Sequence, residues 1–193
     1  MKSINEISFN GKKVFIRVDF NVPFNDSGEI TDSSRIVAAL PTIEYVLSNG
    51  GACILASHLG RPVGKDSELS LKKIIPELKK LLGKDVIFLE NSIGAQTKEA
   101  CSNLQNGEVV LLENLRFYEE ETKADIDFAK ELSSLADIYI NDAYGTTHRE
   151  HASTATIAQF FSKKAPGMLL EKEIKSLKKL MDKPKKPVTA IIG

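Results

Sequence analysis

Six short apolar runs recur along this chain, Val14–Val18, Ala52–Ala56, Val86–Leu89, Val109–Leu112, Ile138–Asn141 and Val188–Ile192, with longer stretches of helical period between them. No other feature limits the fold so sharply. Several runs are apolar on consecutive residues, the pattern of a parallel strand covered on both faces. Between them Leu71, Ile74, Ile75, Leu78, Leu81 and Leu82 form one apolar stripe at helical spacing, and Leu169, Leu170, Ile174, Leu177 and Leu180 form another. Parallel strands need crossovers, and helices supply them. The expectation is an α/β domain: a Rossmann-like, parallel six-stranded sheet with helices on both faces, three layers in all. Pro41 and Pro76 interrupt two helical patterns and predict a restart or kink at each. At 193 residues, 42% of them hydrophobic, the chain has the apolar material for one such core.

The charge balance excludes some partners. Twenty-six basic residues offset 26 acidic ones, without the basic face or tail that nucleic acid or an anionic membrane attracts. The start, Met1-Lys2-Ser3-Ile4-Asn5, lacks an apolar signal core, and no apolar run is long enough to span a bilayer. Cys53 and Cys101 read as free buried thiols rather than a disulfide framework. A cytoplasmic protein is expected. The only linker-like composition is Asp182-Lys183-Pro184-Lys185-Lys186-Pro187. A strand that opens at Val188 and stops at Gly193 reads as a sheet interrupted before its next element, with a natural carboxyl end as the alternative.

Only five of the 26 basic residues are arginine: Arg17, Arg35, Arg61, Arg116 and Arg149. The lysines spread over presumed helix surfaces, whereas each arginine lies in a candidate strand, just after one, or in the next loop or helix start. In an open parallel sheet, ligands bind beyond the carboxyl ends of the strands. Arg35 comes after the first run, Arg61 after the second, Arg116 after the fourth and Arg149 after the fifth, so the four converge on one rim if the sheet forms. Guanidinium grips phosphate or carboxylate through paired hydrogen bonds. Any one of these arginines can equally be a structural ion-pair partner; four placed this way point to an anion site.

Asp19 and Asn21 come directly after the first run and suit substrate hydroxyls, although Asp at a strand end is also a turn former. In Ser57-His58-Leu59-Gly60-Arg61-Pro62 the Gly and Pro shape a tight loop that presents His58 beside Arg61. His148 and His151 have no third histidine or nearby cysteine to complete a zinc site, so no metal site is expected. No Gly-rich phosphate-binding fingerprint of the dinucleotide or P-loop type is present. The chain is fitted to a small, hydroxylated polyanion and poorly fitted to a nucleotide. A receiver-like domain would need an acceptor Asp at the end of the third run, which Phe88-Leu89-Glu90-Asn91 does not offer. A non-catalytic anion-binding module is the other reading open at this level.

Four segments resemble the phosphoglycerate kinase family: Arg17-Val18-Asp19-Phe20-Asn21-Val22-Pro23, Ser57-His58-Leu59-Gly60-Arg61-Pro62, Leu111-Leu112-Glu113-Asn114-Leu115-Arg116-Phe117-Tyr118, and Asn141-Asp142-Ala143-Tyr144-Gly145-Thr146-Thr147-His148-Arg149. They stand in the family's order and cover essentially the whole chain; Thr147 stands where the family often has a small residue. The resemblance implies the amino-terminal, triose-binding domain over residues 1–193, with a connecting helix at about 168–182, a final strand at 187–193, and the nucleotide-binding domain absent. It implies reversible phosphoryl transfer between 1,3-bisphosphoglycerate with MgADP and 3-phosphoglycerate with MgATP, in a monomeric enzyme whose nucleotide and Mg2+ sit outside this chain. Asp19 and Asn21 would contact the glycerate. His58, Arg61, Arg116 and Arg149 would hold the 3-phosphate, and Arg35 would be the catalytic residue at the transferring phosphoryl. Glu173 would be an interdomain contact or merely part of a solvated helix face.

Overall fold

The computed structural model describes residues 3–182 and residue 189. Within them one sheet holds six strands: β1 (Lys13–Arg17), β2 (Ala52–Ala56), β3 (Ile87–Leu89), β4 (Val109–Leu112), β5 (Ile138–Asn141) and β6 (Lys164–Pro166). Their order is β3-β4-β2-β1-β5-β6, and every neighbouring pair is parallel. Alternation along each strand sends successive side chains to opposite faces. Val14, Ile16, Cys53, Leu55, Leu111 and Ile140 face one core, shared with Ile36, Ile43 and Val46 of α1 (Ser34–Ser48) and Leu78 of α2 (Ile75–Leu82). Phe15, Ile54, Val110, Leu112 and Tyr139 face the other, against Cys101 of α3 (Ala95–Ser102) and Phe128 and Leu132 of α5 (Ile126–Ser133). A four-residue helix, α4 (Glu119–Thr122), precedes α5. Burying one such aliphatic or aromatic side chain stabilises the fold by about 1.5–3 kcal/mol, so the two filled faces explain why the runs are apolar without alternation. Cys53 and Cys101 are free and buried, and burial raises both thiols, Cys101 to about 11.

The two prolines behave differently. A 3-10 turn at Leu71–Ile74 gives way to α2, which starts afresh with Pro76 in its first turn, where no amide proton is needed. Of the restart or kink expected at Pro41, the restart does not occur, and α1 runs through it. Ile36, Ala39, Thr42, Ile43 and Val46 are buried on both sides of the proline and hold the helix to the sheet. Pro41 and Val37, whose carbonyl loses its partner, lie on the exposed side where water can replace it.

One described strand lies outside the six runs read from the sequence. Apart from residue 189, Val188–Ile192 and the strand expected at 187–193 lie outside the described residues, and the sixth described strand is β6, three residues at the sheet edge. Lys164-Ala165-Pro166 carries neither a β-branched nor an aromatic residue, and proline is tolerated at an edge because it need not donate. From β6 the chain turns at Gly167 into α6 (Met168–Asp182). Asp142, at the end of β5, accepts from Leu170 N at 3.1 Å and so caps this helix from a distant part of the chain. A Cβ at Gly167 would stand 2.2 Å from Asp142 Oδ1, so the turn excludes every other residue. Of the α6 stripe only Leu170 is buried, while Leu177 and Leu180 are exposed.

Candidate functional site

β1 is the strand where the chain reverses its direction of winding: β2, β4 and β3 lie on one side of it, β5 and β6 on the other. Such a switch point opens a crevice at the carboxyl ends of the strands. Four loops meet there, after β1, β2, β4 and β5.

Each loop is held by the others through buried polar groups. Phe20, fully buried, anchors the first loop, and its amide donates to Ser57 Oγ of the second at 2.8 Å. Asn114, also fully buried, joins the loop after β4 to the second. Its Nδ2 donates to the carbonyls of Leu59 (2.8 Å) and Leu69 (2.9 Å), while its Oδ1 accepts from the amides of Leu59 and Arg116. Glu113 accepts from Leu71 N at 2.8 Å and Ser70 Oγ at 2.6 Å, fixing the segment before α2. Gly60 sits at φ +62°, where a side chain is strained. Its amide donates to Asn21 Oδ1 at 2.8 Å and its carbonyl accepts from Arg116 Nη1 at 2.6 Å, so one glycine ties three loops together.

The resulting pocket, about 250 Å3, is lined by Asp19, Asn21, Arg35, His58, Gly60, Arg61, Arg116, Gly145, Thr146 and Arg149. All seven residues expected from the sequence meet in it. Asp19 pairs with Arg35 across the mouth, through Oδ2 and Nη1. His58 is 4% exposed, with Nδ1 4.0 Å from Asp19 Oδ1. Burial pushes the His58 imidazole down to about 2, helped by the positive charges of Arg17, Arg116 and Arg149 and by His151. Arg116 is half-buried and its Nε has no partner among the described residues; burial lowers its guanidinium, with Arg149 and Arg17 adding to the effect. Arg61 is exposed, and Arg149 Nε donates to His148 at 3.3 Å. Among the described residues Asp19 is the only carboxylate lining this pocket, which four guanidinium groups make strongly positive.

Two larger clefts flank it. One of about 530 Å3 runs along Arg61, Arg116, Arg149 and His151 to Phe117 and Tyr118. The other, about 400 Å3, lies between α1 and α6 and reaches from Asp19 and Arg35 to Leu169 and Glu173. His148 is exposed, and among the described residues no three His, Cys, Asp or Glu side chains converge to hold a metal. No helix among them is long and apolar enough to cross a membrane.

Sequence reasoning missed the layer behind the pocket. Arg17 is fully buried, donates from Nε to Ser153 Oγ at 2.8 Å and from Nη1 to the Val18 carbonyl, and approaches His58 Nδ1 with Nη2 at 3.3 Å. Ser153 Oγ in turn donates to Glu121 Oε1 at 2.6 Å, and its amide donates to Oε2 at 2.9 Å. Glu121 is fully buried as well. The signal was present for Arg17, since an arginine inside a strand covered on both faces must be buried and therefore paired. For Glu121 and Ser153, in segments far apart in sequence, there was none.

The family model described as "Phosphoglycerate kinase" matches residues 4–193. Among curated relatives, "Phosphoglycerate kinase" of Prochlorococcus marinus (strain MIT 9515) is 50% identical and aligns with all of this chain and 48% of its own length. "Phosphoglycerate kinase 3, cytosolic" of Arabidopsis thaliana is 48% identical, over 99% of this chain and 48% of the relative. The solved structure of the Pyrococcus horikoshii OT3 phosphoglycerate kinase superposes with a TM-score of 0.88 at 34% identity, covering 97% of this chain and 47% of that one. The chain thus spans about half the length of the curated relatives it matches. With a family model matched along nearly its whole length, it belongs to the phosphoglycerate kinase family.

Proposed function

We propose that this chain is the triose-binding half of a cytoplasmic, monomeric phosphoglycerate kinase, which moves a phosphoryl group between 1,3-bisphosphoglycerate with ADP and 3-phosphoglycerate with ATP. The observation that carries the reading is the pocket in which Arg35, Arg61, Arg116 and Arg149 face Asp19, Asn21 and His58. In this assignment Asp19 and Asn21 contact the glycerate part, and His58, Arg61, Arg116 and Arg149 take the 3-phosphate. Arg35, half-exposed at the mouth and held by Asp19, is set to meet charge developing on the transferring phosphoryl. Such transfer asks for positioning and charge stabilisation more than covalent work by the protein. The attacking carboxylate is already ionised, so no general base is assigned.

The family implies a magnesium-bound nucleotide, but no donor set for a divalent cation is found among the described residues and no step is assigned to it. Magnesium would supply charge neutralisation on the nucleotide phosphates, held by parts of the protein outside this chain. This chain alone is then expected to bind the triose without turnover.

The test is a titration of 3-phosphoglycerate followed through backbone amides by NMR. Shifts are expected at Asp19–Asn21, His58–Arg61, Arg116 and Arg149, weakening as salt rises. Saturable shifts elsewhere, or none at millimolar ligand, would sink the assignment. In the intact enzyme, Arg35→Ala should lower turnover roughly 100-fold with a smaller change in substrate binding, whereas Arg61→Ala should chiefly weaken binding.

A further inference from the structure

We infer that Arg17 is a positioning residue: it holds His58 as the neutral tautomer with its proton on Nε2, so that the histidine offers the pocket an uncharged donor. A guanidinium has five N–H donors and no acceptor. Its Nη2 lies 3.3 Å from His58 Nδ1, so a hydrogen bond there requires Nδ1 to be the acceptor and Nε2 to carry the proton. The competing arrangement, Nδ1–H donating to Asp19, has a longer reach of 4.0 Å. Asp19 is also already engaged by Arg35 and, at 3.3 Å, by the Asn21 amide. Arg17 cannot easily swing away, because Ser153, itself locked to Glu121, holds its Nε. Nε2 has no protein partner among the described residues and is not among the buried atoms sealed from solvent without one, and His58 lines the pocket.

The groups facing His58 agree. Arg17 on β1, Arg116 after β4, and Arg149 and His151 after β5 oppose a second proton, and Asp19 after β1 is the one facing carboxylate. Positive charge in the pocket then comes from arginine alone and does not change near neutral pH. The proposed function enters only through the identity of the ligand that Nε2–H meets.

The experiment is run on the intact protein, 15N-labelled in histidine and arginine, with His58 signals assigned by their loss in His58→Gln. A long-range 15N–1H spectrum separates protonated from unprotonated ring nitrogens. Protonated Nε2 and bare Nδ1 are expected from pH 8 to pH 5, with a through-hydrogen-bond coupling between Arg17 Nη2 and His58 Nδ1. The reverse pattern, a doubly protonated ring at pH 6, or no coupling would overturn the inference. A folded Arg17→Lys variant, which keeps the buried charge but loses the fork, should release the ring to both tautomers and weaken 3-phosphoglycerate about tenfold, the loss of one charge-assisted hydrogen bond. An unchanged ring in that variant would remove Arg17 from the role. Should the ring state be as expected and Nε2–H ignore saturating 3-phosphoglycerate, the tautomer stands and the triose reading falls.

Discussion

The floor and the rim of the pocket are built from the same kinds of side chain under opposite conditions. On the floor, Arg17, Asn114, Glu121 and Ser153 are fully buried, and their side chains are bonded to other segments of the fold. At the rim, Arg61 is exposed and Arg35 half-exposed, held by one carboxylate. A buried charge must be paired or it destabilises the fold by several kcal/mol, while an exposed one contributes little to stability. The floor therefore uses its hydrogen bonds on the protein, and the rim leaves more of its own open to the pocket. Position relative to water, more than residue type, separates the arginines bonded within the fold from those proposed to bind.

The sharpest way to break this contrast is to remove the floor cation. Arg17→Met removes the guanidinium that Ser153 links to the buried Glu121 carboxylate, and should lower unfolding free energy by about 3–5 kcal/mol in urea titrations. A loss under about 1 kcal/mol would mean that the floor is not held by the chain from Arg17 through Ser153 to Glu121. Asn114→Ala comes next. It strands the Leu59 and Leu69 carbonyls and frees the loop after β2, at about 2–3 kcal/mol. Retention of full stability would show that Gly60 alone suffices to join the loops.

Acid tests the floor without mutation. His58 titrates at about 2 in the fold and at an ordinary 6.5 when unfolded, so the unfolded chain binds the extra proton. Its contribution to stability is fully present above about pH 6.5 and is lost as pH falls through the interval between the two values. Between pH 7 and pH 5 this amounts to about 2 kcal/mol. His58→Gln should flatten that part of the profile; an unchanged acid slope would place the titration elsewhere. The smallest effect belongs to the rim. Arg61→Ala should change stability by less than about 0.5 kcal/mol while weakening anion binding, and a stability loss comparable with that of Arg17→Met would erase the distinction between floor and rim.

By itself the sequence determined the layers and the place of the site. Strands buried on both faces are apolar over most of their length, which made β1, β2, β4 and β5 legible to within a residue, and arginines placed after those strands marked the rim. Both signals are local, because burial and loop position act on each segment separately. β6 was not legible, since an edge strand of three residues needs no apolar or β-branched pattern and owes its conformation to pairing with β5. The continuity of α1 through Pro41 was decided by packing on either side of the proline, which outweighs the local preference. The same holds for Asp142 capping α6 and for the chain of contacts from Glu121 through Ser153 and Arg17 to His58. These partners are up to 136 residues apart in sequence, and nothing in a segment records which distant group will satisfy it. Only when the sheet brings the loops together does a buried charge acquire its partner, and with it the site its shape.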